Sequence, residues 1–124
     1  MTGIAGNNCA AALLEAGHRV VGLSRRVNRR VHGVEHVTAD VLDRTQIKDA
    51  VAGQGITDLV FATWRRHDTE AENCRVNAAM LRNTLEAVGS TTQLRHVTLV
   101  TGLKHYLGPF EAYGKTPAET PYRE

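Results

Sequence analysis

Gly3 and Gly6, in the opening stretch TGIAGNNC, have the spacing of a G-x-x-G turn leading into a helix, with Cys9 where a third glycine could stand. Glycines at such a turn let the backbone bend tightly and approach a pyrophosphate with no Cβ in the way. The helix N-terminus that follows adds N–H donors and a partial positive charge. The competing reading is a plain turn, because glycine pairs at helix starts are common. About twenty residues further on, GLSRRVNRR closes a strand-like run with Ser24, Arg25 and Arg26 and no acid. At that place in a dinucleotide fold a carboxylate would bind the 2′-hydroxyl of NAD, whereas arginines fit the 2′-phosphate of NADP. Strand-end placement together with the glycine turn favours NADP(H) for Arg25 and Arg26, while Arg29 and Arg30 read as a solvated basic loop.

Two further strand ends carry polar or aromatic side chains. Asp40, in TADVLD, could accept a hydrogen bond from an adenine amino group, or it could cap a helix, which is also the reading for Asp43. FATWRR ends another strand with Thr63 and Trp64; the indole could lie along a cofactor or cover the core. Last comes TGLKHYLGPF, in which a β-type run, LRHVTLV, meets Thr101-Gly102 and then Lys104, His105 and Tyr106. Loops at strand ends are where α/β proteins place their chemistry. His105 and Tyr106 read as shaping that loop. His32 and His36 are four apart, but Gly33 and the start of a strand separate them, so no metal site is expected.

The elements that would position these residues alternate along the chain. NNCAAALLEAG (7–17) is a helix with Asn7 as a candidate cap and Gly17 as its stop, and HRVVGLSR (18–25) and VEHVTAD (34–40) are short strands. RTQIKDAVAGQG (44–55) is a helix with Ile47, Ala50 and Val51 at i, i+3, i+4. TDLVFAT (57–63) is expected to be a buried strand. DTEAENCRVNAAMLRNTLEAVG (68–89) is the longest helix, and LRHVTLVTG (94–102) the last strand. Near-continuous apolar strands between helices imply a parallel sheet covered on both faces. A glycine turn of this kind hangs off the C-terminal end of a central first strand, and here only Met1 and Thr2 precede Gly3, so the chain is expected to lack that strand.

At 124 residues the chain is one domain, and its 42% hydrophobic and 23% charged residues are ordinary for a globular protein. A net charge of +2 with mixed signs gives no nucleic-acid signal. No apolar run suits a membrane span or a secretory leader. Cys9 and Cys74, with no CxxC, read as reduced thiols, and a cytoplasmic location is the expectation.

Taken together, TGIAGN, GLSRR, ADVLD, ATW, ENCRVNAAMLRN and above all TGLKHYLGPFEAYGK resemble the short-chain dehydrogenase/reductases of the progesterone 5β-reductase and iridoid synthase-like group, over nearly the whole chain. The resemblance implies a Rossmann-like α/β fold, a doubly wound parallel sheet over residues 1–124, without the first central strand or the C-terminal substrate-binding half. There is no Tyr-x-x-x-Lys pair; in the group this chain resembles, the catalytic lysine sits in the loop motif, which falls on Lys104. The resemblance further implies NADPH held by Thr2, Gly3, Ile4 and Gly6, by Arg25 and Arg26, by Asp40 and Val41, and by Thr63 and Trp64, with Val100 and Thr101 at the nicotinamide end. The chemistry it implies is hydride addition to a C=C bond conjugated to a carbonyl, with a tyrosine beyond Glu124 stabilising the enolate oxygen. The partner expected is a small-molecule carbonyl substrate, with a homodimer left open. The alternatives are a non-catalytic NADP(H)-binding or regulatory module and a truncated, inactive fragment.

Overall fold

The structure, a computed structural model, describes residues 3–27 and 31–102. Thr2, Arg29, Arg30 and the whole Lys104 loop with His105 and Tyr106 lie outside the described residues. Seven elements follow one another: α1 (Ile4–Glu15), β1 (Val20–Ser24), β2 (Val34–Thr38), α2 (Arg44–Val51), β3 (Asp58–Phe61), α3 (Glu70–Thr91) and β4 (His96–Leu99). Their order and types are those the apolar pattern implies.

Local chemistry sets the ends of the helices. α1 stops at a Schellman arrangement: Gly17 has φ +81, its N–H donates to the Leu14 carbonyl at 2.9 Å, and His18 N–H reaches the Leu13 carbonyl at 2.9 Å. At its other end the cap is Gly3 rather than Asn7; Asn7 is the fourth helical residue, and its N–H closes the first turn onto the Gly3 carbonyl at 3.0 Å. The sequence favoured asparagine because it caps through its side chain. Here the cap is a glycine with extended backbone (φ −92, ψ 155), and no side chain closes the helix start. α2 is capped by Asp43, whose Oδ1 accepts from Thr45 N–H at 3.0 Å and Gln46 N–H at 3.1 Å. α3 is capped by Thr69, with Glu70 and Glu72 in the first turn, where carboxylates complement the helix dipole.

The strands form two parallel pairs, β1 with β2 (Val20 opposite Val34, Ser24 opposite Thr38) and β3 with β4 (Asp58 opposite His96, Phe61 opposite Leu99). They do not join into one sheet: β1 and β3 are not paired with each other. The core sits where α2 and α3 pack together. Ala39, Ile47, Val51, Ala87 and Val88 form one buried cluster, and Phe61, Val76 and Met80 form another, with Val41 touching both.

Two expectations about burial are corrected. TDLVFAT is not a buried strand: within β3 only Phe61 is buried, and Asp58 and Val60 are exposed. The sheet is not covered on both faces either, since all four residues of β4 are exposed, including Val97 and Leu99 at 47%. An apolar run shows that a strand can be buried, but burial needs an element on each side. Among the described residues none covers β4.

Candidate functional site

The C-terminal ends of the four strands come together with the N-terminus of α1. A cleft of about 560 Å³ runs between β1 and β3, with Gly3 and Gly6 on one side and Ser24, Arg25, Thr63 and Trp64 at its mouth. The first-turn N–H groups of α1 have no intrahelical partner and, because Gly3 offers no capping side chain, no side-chain acceptor among the described residues. A Cβ built on Gly3 would meet nothing within 4 Å, so no atom of the described residues demands glycine there. The free space over the helix start is what an approaching ligand would use.

Beyond β1 the chain folds back: Ser24 Oγ donates to the Arg26 carbonyl at 3.0 Å, leaving both arginine side chains exposed. Ala39 N–H donates to the Ser24 carbonyl at 3.2 Å, which sets Asp40 beside the end of β1. Asp40 is half-buried; its Oδ1 accepts from Leu42 N–H at 2.9 Å and its own N–H donates to Gln46 Oε1 at 3.0 Å. It therefore shapes a turn, while capping falls to Asp43. Trp64 is 67% exposed, which rules out the core-covering reading. Val100 N–H donates to the Phe61 carbonyl at 3.0 Å, placing Val100 and Thr101 beside the end of β3, both exposed.

Of the residues named from sequence, Gly3, Gly6, Arg25, Val41, Thr63 and Trp64 line one cleft. Ile4 points to solvent at 84% exposure, and Arg26, Asp40, Val100 and Thr101 stand near the mouth without lining it.

Two features escaped the sequence reading. The first is a clamp on the segment after β3. Asn77, buried in α3, accepts from Arg65 N–H at 2.9 Å and donates from Nδ2 to the Arg65 carbonyl at 2.8 Å, and Asn73 Oδ1 accepts from His67 N–H at 2.6 Å. These bonds fix the backbone immediately after Thr63 and Trp64. The available signal was a pair of asparagines at i, i+4 on the otherwise apolar face of α3.

The second is how charge divides between the two strand ends. At the N-terminal ends, Arg19 makes two bonds to the Glu35 carboxylate (2.7 and 2.6 Å) and also reaches the Gln54 carbonyl and Oε1, and Asp58 pairs with His96 at 2.9 Å. The Arg19 hydrogen bonds hold the Glu35 carboxyl below its usual range. Asp58 is lowered first by the Thr57 hydroxyl and then by His96. At the C-terminal ends, Arg25, Arg26, Arg65 and Arg66 enter no ion pair among the described residues. The Arg65-Arg66 pair repeats, after β3, the strand-end arginines already noted after β1. Unpaired cations, an uncapped helix N-terminus and open space over a glycine form a donor set that fits a dinucleotide's phosphates.

The profile of a family described as NAD(P)H-binding matches residues 2–123. The chain belongs to that family. It is 36% identical over 135 residues to an (S)-8-oxocitronellyl enol synthase of Camptotheca acuminata, covering all of this chain and 35% of that protein. It is 34% identical over 134 residues to a 3-oxo-Delta(4,5)-steroid 5-beta-reductase of Arabidopsis thaliana, covering all of this chain and 34% of that protein. An enol synthase of Nepeta cataria is 36% identical over 121 residues, which is 90% of this chain and 31% of that protein. The chain thus spans about a third of the length of the relatives it matches. These relatives fall in the group that the lysine-loop motif resembles, and the α/β element order with parallel pairing is that of a partial Rossmann-like fold. Among the described residues no helix is long and apolar enough to cross a membrane.

Proposed function

We propose that this chain is the NADPH-binding part of an oxidoreductase that reduces a C=C bond conjugated to a carbonyl. The observation that carries the cofactor choice is the exposed Arg25-Arg26 pair just past β1, without an ion pair among the described residues and beside the cleft that Gly3 and Gly6 line. In this reading the first-turn N–H groups of α1 hold the pyrophosphate, and Arg25 and Arg26 hold the 2′-phosphate. The backbone turn at Asp40 and Val41 borders the adenine, and Thr63 and Trp64 border the path toward the nicotinamide. Bound there, NADPH supplies a hydride. Lys104 is assigned the role of holding the nicotinamide ribose and, by its charge, favouring the deprotonated side of a nearby hydroxyl's equilibrium. The substrate class rests on the enol synthase and steroid 5-beta-reductase activities for which the relatives are named, together with the lysine-loop resemblance.

The test is a titration of the 124-residue chain with NADPH and with NADH, followed by quenching of Trp64, the single tryptophan. NADPH should bind more tightly. Charge-assisted hydrogen bonds contribute about 1.5–3 kcal/mol when well formed, and solvent exposure puts these at the lower end, so Arg25→Ala should weaken NADPH about tenfold and leave NADH unchanged. Equal loss for both dinucleotides, or equal affinity of the unaltered chain for both, would remove the arginines from 2′-phosphate recognition.

A further inference from the structure

In the proposed cofactor site the start of α1 meets the pyrophosphate and Arg25 and Arg26 meet the 2′-phosphate, which leaves Arg65 and Arg66 without a part. They follow β3, one and two residues past Trp64, whereas Arg25 and Arg26 follow β1 across the cleft. Trp64 lines that cleft, and neither Arg65 nor Arg66 does. Their backbone is held while their side chains stay exposed. Asn77 takes both the N–H and the carbonyl of Arg65, and Asn73 takes the N–H of His67, so the residues on either side of Arg66 are tied to α3. Asp68, two residues past Arg66, pairs with neither arginine, and Glu72 is taken by Arg75. Guanidinium groups bind carboxylate and phosphate through charge-assisted hydrogen bonds, and a backbone fixed beforehand reduces the ordering that binding would otherwise cost. Trp64, exposed at the mouth of the cleft, adds an apolar surface directly before them.

We propose that Trp64, Arg65 and Arg66 form a substrate site, which takes the charged end of a conjugated carbonyl compound bearing a carboxylate or a phosphate apart from its C=C bond. The indole meets the apolar body of such a molecule, and the guanidinium groups meet its anionic end. The position suits a substrate rather than the cofactor. β3 ends beside Val100 and Thr101, because Val100 N–H donates to the Phe61 carbonyl at 3.0 Å, and this is the nicotinamide end in the reductase reading. A C=C bond that accepts hydride must lie against the nicotinamide, so a charged group a few atoms away on the same molecule falls past the end of β3. The inference rests on the reductase reading for the C=C chemistry, while the anion site itself does not. It narrows the substrate class from any conjugated carbonyl compound to an anionic one, for which neutral analogues are poorer ligands.

The test titrates the 124-residue chain with levulinate, with hydroxyacetone phosphate and with the neutral methyl levulinate, with and without NADPH. All three are saturated ketones, so none alkylates Cys9 or Cys74. Binding is read from the indole N–H resonance of Trp64. At least one charged probe should shift that resonance saturably and bind about tenfold more tightly than the ester, and the tighter of the two names the group. Replacing Arg65 and Arg66 together by Ala should bring the charged probe down to the ester. Arg82→Ala, which removes an exposed arginine of α3, should change nothing. The probe should stay bound when NADPH is added. Equal binding of charged and neutral probes, or no shift in a chain that circular dichroism shows to be folded, overturns the proposal. So does displacement of the probe by NADPH, or an equal loss of NADPH and NADH affinity in the Arg65, Arg66 variant, since either gives these arginines to the cofactor. Failure of NADPH to bind while a charged probe binds counts against the cofactor reading and leaves the anion site standing.

Discussion

Replacing Asn77 tests whether the segment carrying Thr63 and Trp64 is held from α3. Asn77 makes two bonds to the Arg65 backbone, one as acceptor and one as donor, and its Nδ2 also donates to the Asn73 carbonyl at 2.8 Å. The third bond lies within the helix, onto a carbonyl four residues back, and such back-bonding adds little to stability. Both bonds to Arg65 are part-buried, so the net worth of about 1 kcal/mol per bond is a floor, with more lost where a freed group stays out of water. Asn77→Ala should therefore cost about 2 kcal/mol or more. With a urea m-value of about 2 kcal/mol/M, that lowers the unfolding midpoint by about 1 M or more with m unchanged. Asn77→Asp, of nearly the same shape, keeps the acceptor for Arg65 N–H but turns a second oxygen toward the Arg65 and Asn73 carbonyls. At neutral pH it should cost at least as much as alanine, and it should recover part of the loss as acid protonates the carboxyl. Both variants should also alter Trp64 fluorescence in the folded chain, because the backbone just after the indole is released. An alanine variant within about 0.5 kcal/mol of the unaltered chain, or an aspartate variant as stable as asparagine at neutral pH, would refute the clamp.

The α2 cap and the Arg19–Glu35 pair give two further outcomes. Asp43→Ala removes the acceptor for two N–H groups, and with it Gln46 Nε2 loses its 2.9 Å bond to Oδ2; a loss of about 1 kcal/mol in urea unfolding is expected, and Asp43→Asn should retain most of the stability. Glu35 has a folded-state pKa lowered by its Arg19 hydrogen bonds, so its contribution is fully present above the unfolded pKa and is lost as pH falls through the folded one. The stability difference between the unaltered chain and Glu35→Gln should accordingly shrink from neutral pH toward the acid side of the carboxylate range. It should also shrink with added salt, since both partners are about half exposed. A difference that grows on acidification would reverse the sign of the argument.

What the sequence disclosed and what it withheld divide along a physical line. Element order and type were legible because they depend on period and punctuation: Gly17 and Gly33 adopt positive φ at junctions, and Ile47 and Val51, four apart, are buried on one face of α2. The glycine turn, the strand-end arginines and the tryptophan were legible as types at strand ends, and the structure brings most of them to one cleft. The cap of α1 was misassigned because a glycine cap has no side-chain chemistry to announce itself. The exposure of β4 was not legible because Val97, Leu99 and Val100 read as strand residues suited to burial whatever lies beside them. The asparagine clamp was hidden by its setting: Asn73 and Asn77 interrupt a helix face that otherwise reads as apolar packing, and only the approach of residues 65–67 gives them partners.

The two ends of the strands carry the same kinds of side chain put to different use. Arg19 and Arg25 flank the same five-residue strand, one residue outside each end. Arg19 is satisfied by a carboxylate, a carbonyl and a side-chain amide, and its neighbourhood ties β1, β2 and the turn before β3 together. A fold that needed only structural charges at the other end could have used the same arrangement. Instead Arg25 and Arg26, and past β3 Arg65 and Arg66, stand with no ion pair among the described residues, close enough in sequence to repel within each pair. That repulsion is relieved by an anion bringing more than one negative group to the strand ends. The start of α1, with no side-chain cap among the described residues, supplies further donors there, and under the proposed reading one surface would meet both the pyrophosphate and the 2′-phosphate.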